Sequence, residues 1–420
     1  MKAIFALWRS LRSLRGNQRA CVLTEPLWAI PYQLFLPFAS LYMSAVGLTD
    51  AEIGAVAALS LAAQFAWALL SGAIVDKIGR RKSMLIYGLL SWTIPCALWA
   101  TARSFPLFAL AAALNGMWRV TGNSFSCMIV EDGDDDKLVS IFTILSITGL
   151  AAGLLSPVAG IFIARFTLPP TMRALYALAL LLMTIKFVVQ YRASGESTIG
   201  RARIAECRGR PLFALAFGGF GALVSALGTK RLLLCAALAL LLNCDDAVRA
   251  SFWPLFVTEK YGLSAAAFSA LPPVKSAATL AVYLLISPRV NLSRVRAPLL
   301  SGIAAKGLAL ALPLALLALT RGAAWVVFLS AACDAFALAM LGPYVESLIS
   351  VYIPQEERAR INSMMTAGIL FVSAPVTWLA GLLSGMNRSL PLLLGLGFVA
   401  AEAVAAMWLA RVARGDRSLK

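Results

Sequence analysis

The chain has 420 residues, 60% of them hydrophobic and only 14% charged, and it carries a net charge of +17 without a single histidine. Soluble domains carry about a quarter charged residues, so most of this chain cannot face water. The missing histidines exclude HExxH metal sites, Ser-His-Asp triads and imidazole relays, and the basic residues lie mainly in the breaks between apolar runs, where they report orientation rather than a nucleic-acid surface.

In chain order, the first feature is Met1 to Arg19, which carries Lys2, Arg9, Arg12, Arg15 and Arg19 with Leu7, Leu11 and Leu14 at helical spacing. It has no small-residue cleavage site after a short apolar core, so residues 1–22 read as a basic amphipathic segment against the membrane surface rather than a signal peptide. A bilayer core of about 30 Å takes roughly 20 apolar residues per helix. Runs of that length predict helices at 23–47, 51–74, 84–102, 105–130, 138–166, 171–191, 231–258, 264–287, 297–320, 322–351, 361–386 and 390–412. The fold class expected is therefore an all-α membrane protein with 12 transmembrane helices in two six-helix bundles. The bundles span 23–191 and 231–412, with a linker at 192–230 and a tail at 413–420.

The run from Pro211 to Thr229 is apolar and long enough to cross, but Lys230 and Arg231 follow at once and a second apolar run begins directly. It also contains Gly218, Gly219 and Gly221. It reads as a surface-lying helix before helix 7, with a thirteen-helix count as the alternative. The preceding stretch, Arg192 to Arg210, reads as a solvated tether whose arginines could also attract anionic head groups. With both termini on the cytoplasmic side, the breaks on that side hold 26 Lys and Arg. The opposite breaks hold six: Arg103, Arg165, Arg173, Lys260, Arg321 and Arg388. Positive charge marks the inside.

Seven cysteines, none in CxxC spacing, read as small buried apolar residues rather than disulfides or metal ligands. The acidic run Glu131-Asp132-Gly133-Asp134-Asp135-Asp136 lacks an EF-hand's spacing and terminal Glu, and reads as a solvated loop. Neither a cofactor nor a catalytic constellation is legible, so an enzyme is not expected.

The halves repeat each other. Ser40-Leu41-Tyr42 leads to Gly47-Leu48-Thr49, and Pro254-Leu255-Phe256 leads to Gly262-Leu263-Ser264, an offset of 214–215 residues. At an offset of 215, Val130-Glu131 falls on Val345-Glu346 and Arg119 on Asp334. Duplicated halves place a binding site near mid-membrane, at the interface between them.

After the second helix the sequence reads Gly72-Ala-Ile-Val-Asp76-Lys77-Ile78-Gly79-Arg80-Arg81-Lys82. Physically, Gly72 admits a close helix approach, Gly79 permits a turn with positive φ, and Asp76 can face a helix N-terminus. Arg80 can pair with Glu131 at the end of helix 4, and Arg81 and Lys82 read as positive-inside anchors. This loop resembles the signature of the major facilitator superfamily, and with the helix count and the repeat the resemblance covers the whole chain. It implies a cytoplasmic latch formed by Asp76, Arg80 and Glu131. The second-half copy has decayed: Arg294 and Glu346 could still pair, but Val290 stands where the acid would be. Two further family patterns are imperfect. Ser156 and Ile161 replace glycines around Pro157 and Gly160 in the helix-5 antiporter run, and Arg119 to Gly122 looks one residue short in helix 4.

Ionisable residues at mid-membrane cost a few kcal/mol and are functional candidates by default. Arg119, Asp245, Asp246, Arg249, Lys275, Lys306 and Asp334 fall there. Arg249 shares a helix face with Asp245 (i,i+4) and Asp246 (i,i+3). The resemblance puts helices 1, 4, 7 and 10 around the cavity, which favours Arg119, Asp245, Asp246 and Asp334 for substrate or proton handling, then Lys275. Lys306, on a peripheral helix, is expected to pair within the bundle, and Lys186 to snorkel. Trp28, Tyr32 and Trp253 could stack on a substrate, although packing or interfacial anchoring is the commoner use. The function expected is secondary active transport of a small organic solute by alternating access, with proton-coupled efflux ahead of uptake. A facilitator and a non-transporting receptor remain as alternatives. The partners expected are the lipid bilayer of the cell membrane, the solute and protons, for a monomer that binds no nucleic acid.

Overall fold

A computed structural model of the chain describes residues 14–131, 133, 135–217, 228–286, 296–320, 323–353 and 358–413. Every regular element among them is helical. The first apolar run is not one rod. It is α1 (Gly16–Thr24), α2 (Pro26–Phe35), a 3₁₀ turn at Leu36–Phe38 and α3 (Ala39–Ala45). Proline explains the breaks: Pro26 opens α2, Pro31 lies inside it and Pro37 sits in the 3₁₀ turn, each removing a backbone donor. Gly47, at φ 102°, follows the end of α3. Thr49 and Glu52 then form a reciprocal capping box at the start of α4 (Asp50–Ile78).

Gly79, at φ 96°, turns the chain into α5 (Arg80–Gly88), which runs through a π turn at Leu89–Thr93 into α6 (Ile94–Thr101). The next run divides at Gly116 and Met117 into α7 (Phe105–Asn115) and α8 (Trp118–Val130). Then come α9 (Asp135–Gly153), α10 (Ser156–Phe166) and α11 (Leu168–Ala193), followed by two short helices, α12 (Thr198–Glu206) and α13 (Leu212–Phe217). The remainder comprises α14 (Lys230–Lys260), α15 (Ala265–Phe268), α16 (Leu271–Leu285), α17 (Arg296–Thr320), α18 (Ala324–Tyr352), α19 (Arg358–Met386) and α20 (Leu390–Ala413).

Among the described residues, nine helices are long and apolar enough to cross a membrane. The three predicted spans that do not qualify are 23–47, 105–130 and 231–258. The first two are interrupted, and α14 carries Asp245, Asp246 and Arg249 in its middle. Residues 16–22, expected in a surface segment, instead start α1 as a packed helix. Cys21 and Val22 are buried, and Gln18 Nε2 donates to the Ile129 carbonyl at 2.9 Å. Of the expected surface helix at 211–229, only Leu212–Phe217 is described as helix, and 218–227 lies outside the described residues.

The chain divides into two compact units. One comprises the described parts of Met1–Leu36, Leu59–Leu155 and Pro169–Gly218; the other comprises those of Pro37–Ala58, Ser156–Leu168 and Gly219–Lys420. In the first, Ile74, Val75 and Val120 form a core with Trp67, Leu70, Tyr87 and Leu212. In the second, Val282, Ala339 and Met340 do so with Tyr283 and Phe336. Lipid is as apolar as leucine, so close packing of small residues rather than water expulsion holds such helices together. Gly54 and Gly381 illustrate it: a Cβ on Gly54 would lie 2.7 Å from the Gly381 Cα. Gly72, expected to serve such an approach, does not. A Cβ there would meet nothing nearer than Asn123 Nδ2 at 4.0 Å.

Candidate functional site: buried ion pairs of two compact units

The signature loop is built at the junction of α4 and α5. Arg80 is 3% exposed. Its Nη1 meets Asp76 Oδ1 at 2.9 Å, and its Nε and Nη2 fork onto Glu131 at 2.9–3.1 Å. The expected Arg80–Glu131 pair is therefore in place. The expected position of Asp76 at a helix N-terminus is not. Glu196 holds that position, its Oε1 accepting the Arg80 N–H at 2.8 Å and its Oε2 the Arg81 N–H at 3.1 Å. An anion is favoured there by the exposed N–H groups and the helix dipole. A Cβ on Gly79 would meet Glu196 Oε2 at 2.6 Å, so glycine is required for space as well as for its positive φ. Ser197 adds a hydroxyl hydrogen bond to Glu131 while its Oγ accepts the Gly200 N–H at the start of α12.

The stretch read as a solvated tether is thus partly structural. Within it, Arg203 donates to Glu206 at 2.8 Å, and that hydrogen bond raises the guanidinium pKa above its ordinary value. Arg81 is more than an anchor: its Nε donates to the Tyr191 carbonyl at 2.8 Å and its guanidinium lies 4.1 Å from the Tyr191 ring centroid. Lys82 is exposed, as an anchor would be. The second-half counterpart, Arg294, lies outside the described residues, and Glu346 is exposed.

Lys186 does not snorkel. It is 4% exposed, its Nζ pairs with Glu25 Oε2 at 2.8 Å, and three rings surround it: Phe125 at 5.0 Å, Trp28 at 5.5 Å and Phe187 at 5.6 Å. Glu25 stands at the break between α1 and α2, inside an apolar run. Trp28 and Tyr32, considered as substrate-stacking rings, pack on each other at 4.5 Å, with Trp92 edge-on to both.

Arg119 on α8 has a different environment. Its Nε donates to Gln64 Oε1 at 3.1 Å and its guanidinium lies 4.3 Å from the Trp118 ring. No carboxylate among the described residues pairs with it.

In the second unit, the mid-helix charges form a continuous series of alternating sign. Lys306 on α17 meets Glu402 on α20 at 3.0 Å and Asp245 on α14 at 3.0 Å. Asp246 lies 3.7 Å from Lys306 and 2.6 Å from Arg249, and Asp245 lies 3.6 Å from Arg249. Arg249 pairs with Asp334 on α18, which also takes Lys275 of α16 at 2.6 Å. Lys306, Asp245, Glu402 and Asp334 are at most 5% exposed, whereas Asp246 and Lys275 are 38% and 36% exposed. Gly395 lets α20 reach the cluster, since a Cβ there would lie 2.7 Å from Asp245 Oδ1. A small recess, with room for about one water, opens on this series and is lined by Arg249, Trp253, Lys275, Ser330 and Asp334 among others. A buried ion needs a partner and further hydrogen bonds to offset its desolvation. Asp245 and the Glu402 Oε2 lack hydrogen-bond partners, so the series is paired but not saturated.

Of the expected mid-membrane residues, the fold brings together Asp245, Asp246, Arg249, Lys275, Lys306 and Asp334 within the second unit, while Arg119 belongs to the first. Lys306 pairs internally, as expected. Glu402 and Glu25 were missed. Each is a lone acid within an apolar run, which was the available signal.

A fold made of apolar helices with paired charges in their middles is that of a multi-pass membrane protein. The chain belongs to the Major Facilitator Superfamily, whose family model matches residues 28–369. It is therefore of the secondary-transporter kind. It is 26% identical over 155 residues to the uncharacterized MFS-type transporter YqjV of Bacillus subtilis (strain 168), a match covering 35% of this chain and 38% of that protein. Its fold resembles the nucleoside transporter NupG (TM-score 0.66, 18% identity, covering 94% of this chain and 98% of that one). It also resembles the peptide transporter POT in complex with sulfate (TM-score 0.69, 14% identity, 97% and 98%). A variant of POT reaches a TM-score of 0.72 at 13% identity, covering 99% of each chain. At these identities the likeness concerns the fold alone.

Proposed function

We propose that this chain moves a small organic solute across the cell membrane by alternating access, driven by protons and in the direction of efflux, as a monomer with both termini in the cytoplasm. The observation that carries the reading is the charge inventory of the buried series. Four carboxylates (Asp245, Asp246, Asp334 and Glu402) face three cations (Arg249, Lys275 and Lys306). One proton brings the set to zero net charge, which is the favoured state in a medium of low dielectric. Binding or losing that proton breaks or restores an ion pair, and an ion pair that changes with protonation is a means of coupling proton movement to a conformational change. The Arg80–Glu131 latch, and the Pro157 to Gly160 run that partly resembles the antiporter pattern, support export over uptake.

The test uses purified protein in liposomes with an imposed pH gradient and an internal pH dye, to which metabolites and amphiphilic drugs are added singly. A compound that moves protons through wild type and not through Asp334→Asn supports coupled transport. Solute equilibration with no proton movement for any compound makes the chain a facilitator, and no transport at all favours a receptor.

A further inference from the structure

We propose that Arg119 receives an anionic group of the transported solute, so that the substrate class is a small organic anion whose two oxygens meet the guanidinium, a carboxylate in the first place. The inference rests on the transporter reading above and adds the charge of the substrate to it.

The argument starts from pairing. A cation at mid-membrane is costly unless it meets an anion or water. Arg249, Lys275, Lys306 and Lys186 each meet a carboxylate. Arg119 is half-buried in the same kind of position and meets none among the described residues. Its neighbours fix it in place without neutralising it. Gln64 accepts from Nε at 3.1 Å, and its own Nε2 is turned to Ser60 Oγ at 3.3 Å. The guanidinium lies over the Trp118 ring, 4.3 Å from its centroid. A Cβ on Gly116 would come within 2.6 Å of the Ala63 Cβ, so α7 and α4 are held in close register just before Arg119.

With Nε committed, the free end of the fork is Nη1 and Nη2. Neither has a partner among the described residues, and neither is among the enclosed polar atoms left without one. A rigid fork with two free parallel donors matches the two oxygens of a carboxylate or phosphate. Charge balance gives the same answer independently. The acids and bases of the buried series neutralise one another with a single proton, whereas Arg119 keeps a positive charge that no carboxylate among the described residues meets. A monoanionic solute compensates it; a neutral solute leaves it as it is.

The test is chemical modification of the full-length protein by phenylglyoxal, with modified arginines located by peptide mass spectrometry. It is run with and without matched probes: benzoate against benzamide, and N-acetyl-phenylalanine against its amide. Wild type is expected to modify at Arg119 at least tenfold faster than at Arg249, and each carboxylate is expected to protect Arg119 while its amide does not. Arg119→Gln should weaken carboxylate binding, read as thermal stabilisation, by about 10- to 100-fold, and Arg119→Lys by less, because one charge-assisted pair carries that range. An Arg119 as inert as Arg249 would overturn the proposal, as would equal protection by acid and amide or by neither. Transport of a neutral solute undiminished in Arg119→Gln overturns the anion assignment and leaves the transporter reading intact. Protection by carboxylates without movement of any solute overturns the transporter reading and leaves the anion site.

Discussion

The Glu196 carboxylate accepts the backbone N–H groups of Arg80 at 2.8 Å and Arg81 at 3.1 Å, so a residue of the inter-half linker closes the signature loop. Asp76, the loop's own acid, is then free to pair with the Arg80 side chain at 2.9 Å. Arg80 is thus held through its backbone by one acid and through its guanidinium by two others, Asp76 and Glu131.

The linker contact gives the first prediction. Glu196→Ala removes the anion from the start of α5, where such contacts contribute about 0.3–2 kcal/mol. Its thermal midpoint should fall by a few degrees, and Cys207, buried at the end of α12, should label faster with a maleimide. Glu196→Gln should recover part of both effects. Labelling of Cys207 at the wild-type rate in Glu196→Ala would mean that the linker helix is held by other contacts.

The deep ion pairs give the second. Lys306 is 1% exposed and meets Asp245 and Glu402, so Lys306→Met strands the buried Glu402 and leaves Asp245 with Arg249 at 3.6 Å. Breaking a buried pair from one side costs about 3–5 kcal/mol. The double variant Lys306→Met/Asp245→Asn should be more stable than Lys306→Met alone. Equal thermal midpoints for the single and double variants would show that the two residues are not coupled.

Packing gives the third. Gly381→Ala would place a Cβ 2.8 Å from the Asp50 carbonyl oxygen and from the Gly54 Cα, both backbone atoms that cannot step aside. Overpacking of this kind costs about 1–3 kcal/mol. Gly72→Ala meets only Asn123 at 4.0 Å and should be neutral. Thermal midpoints in detergent compare the two, and a destabilised Gly72→Ala would contradict this packing.

Transport gives the fourth. Asp334 ties Arg249 to Lys275 and is 5% exposed, whereas Asp246 is 38% exposed. Asp334→Asn should lower proton-driven solute accumulation at least tenfold, with Asp246→Asn affected less. Solute counterflow, which needs no proton gradient, should survive in both. Loss of counterflow in Asp334→Asn would assign the residue to structure instead of coupling.

Much of this protein is written locally in the sequence. Membrane helices are legible because a bilayer of fixed thickness demands about 20 apolar residues without a break. The signature loop is legible because its glycine, acid and arginine act over a few residues, and the Arg80–Glu131 pair followed from it. Asp245, Asp246, Arg249 and Asp334 stand out because charge is costly in that setting. What the tertiary structure decided was pairing. Lys306 meets Glu402 across 96 residues and Lys186 meets Glu25 across 161, and no local rule joins such positions. The same holds for Glu196, a linker residue by composition that becomes a helix-terminal anion only once the chain has folded back. A charge in an apolar run declares from sequence alone that it needs a partner; which residue answers, and that Arg119 is answered by no carboxylate among the described residues, depends on distances that only packed helices set.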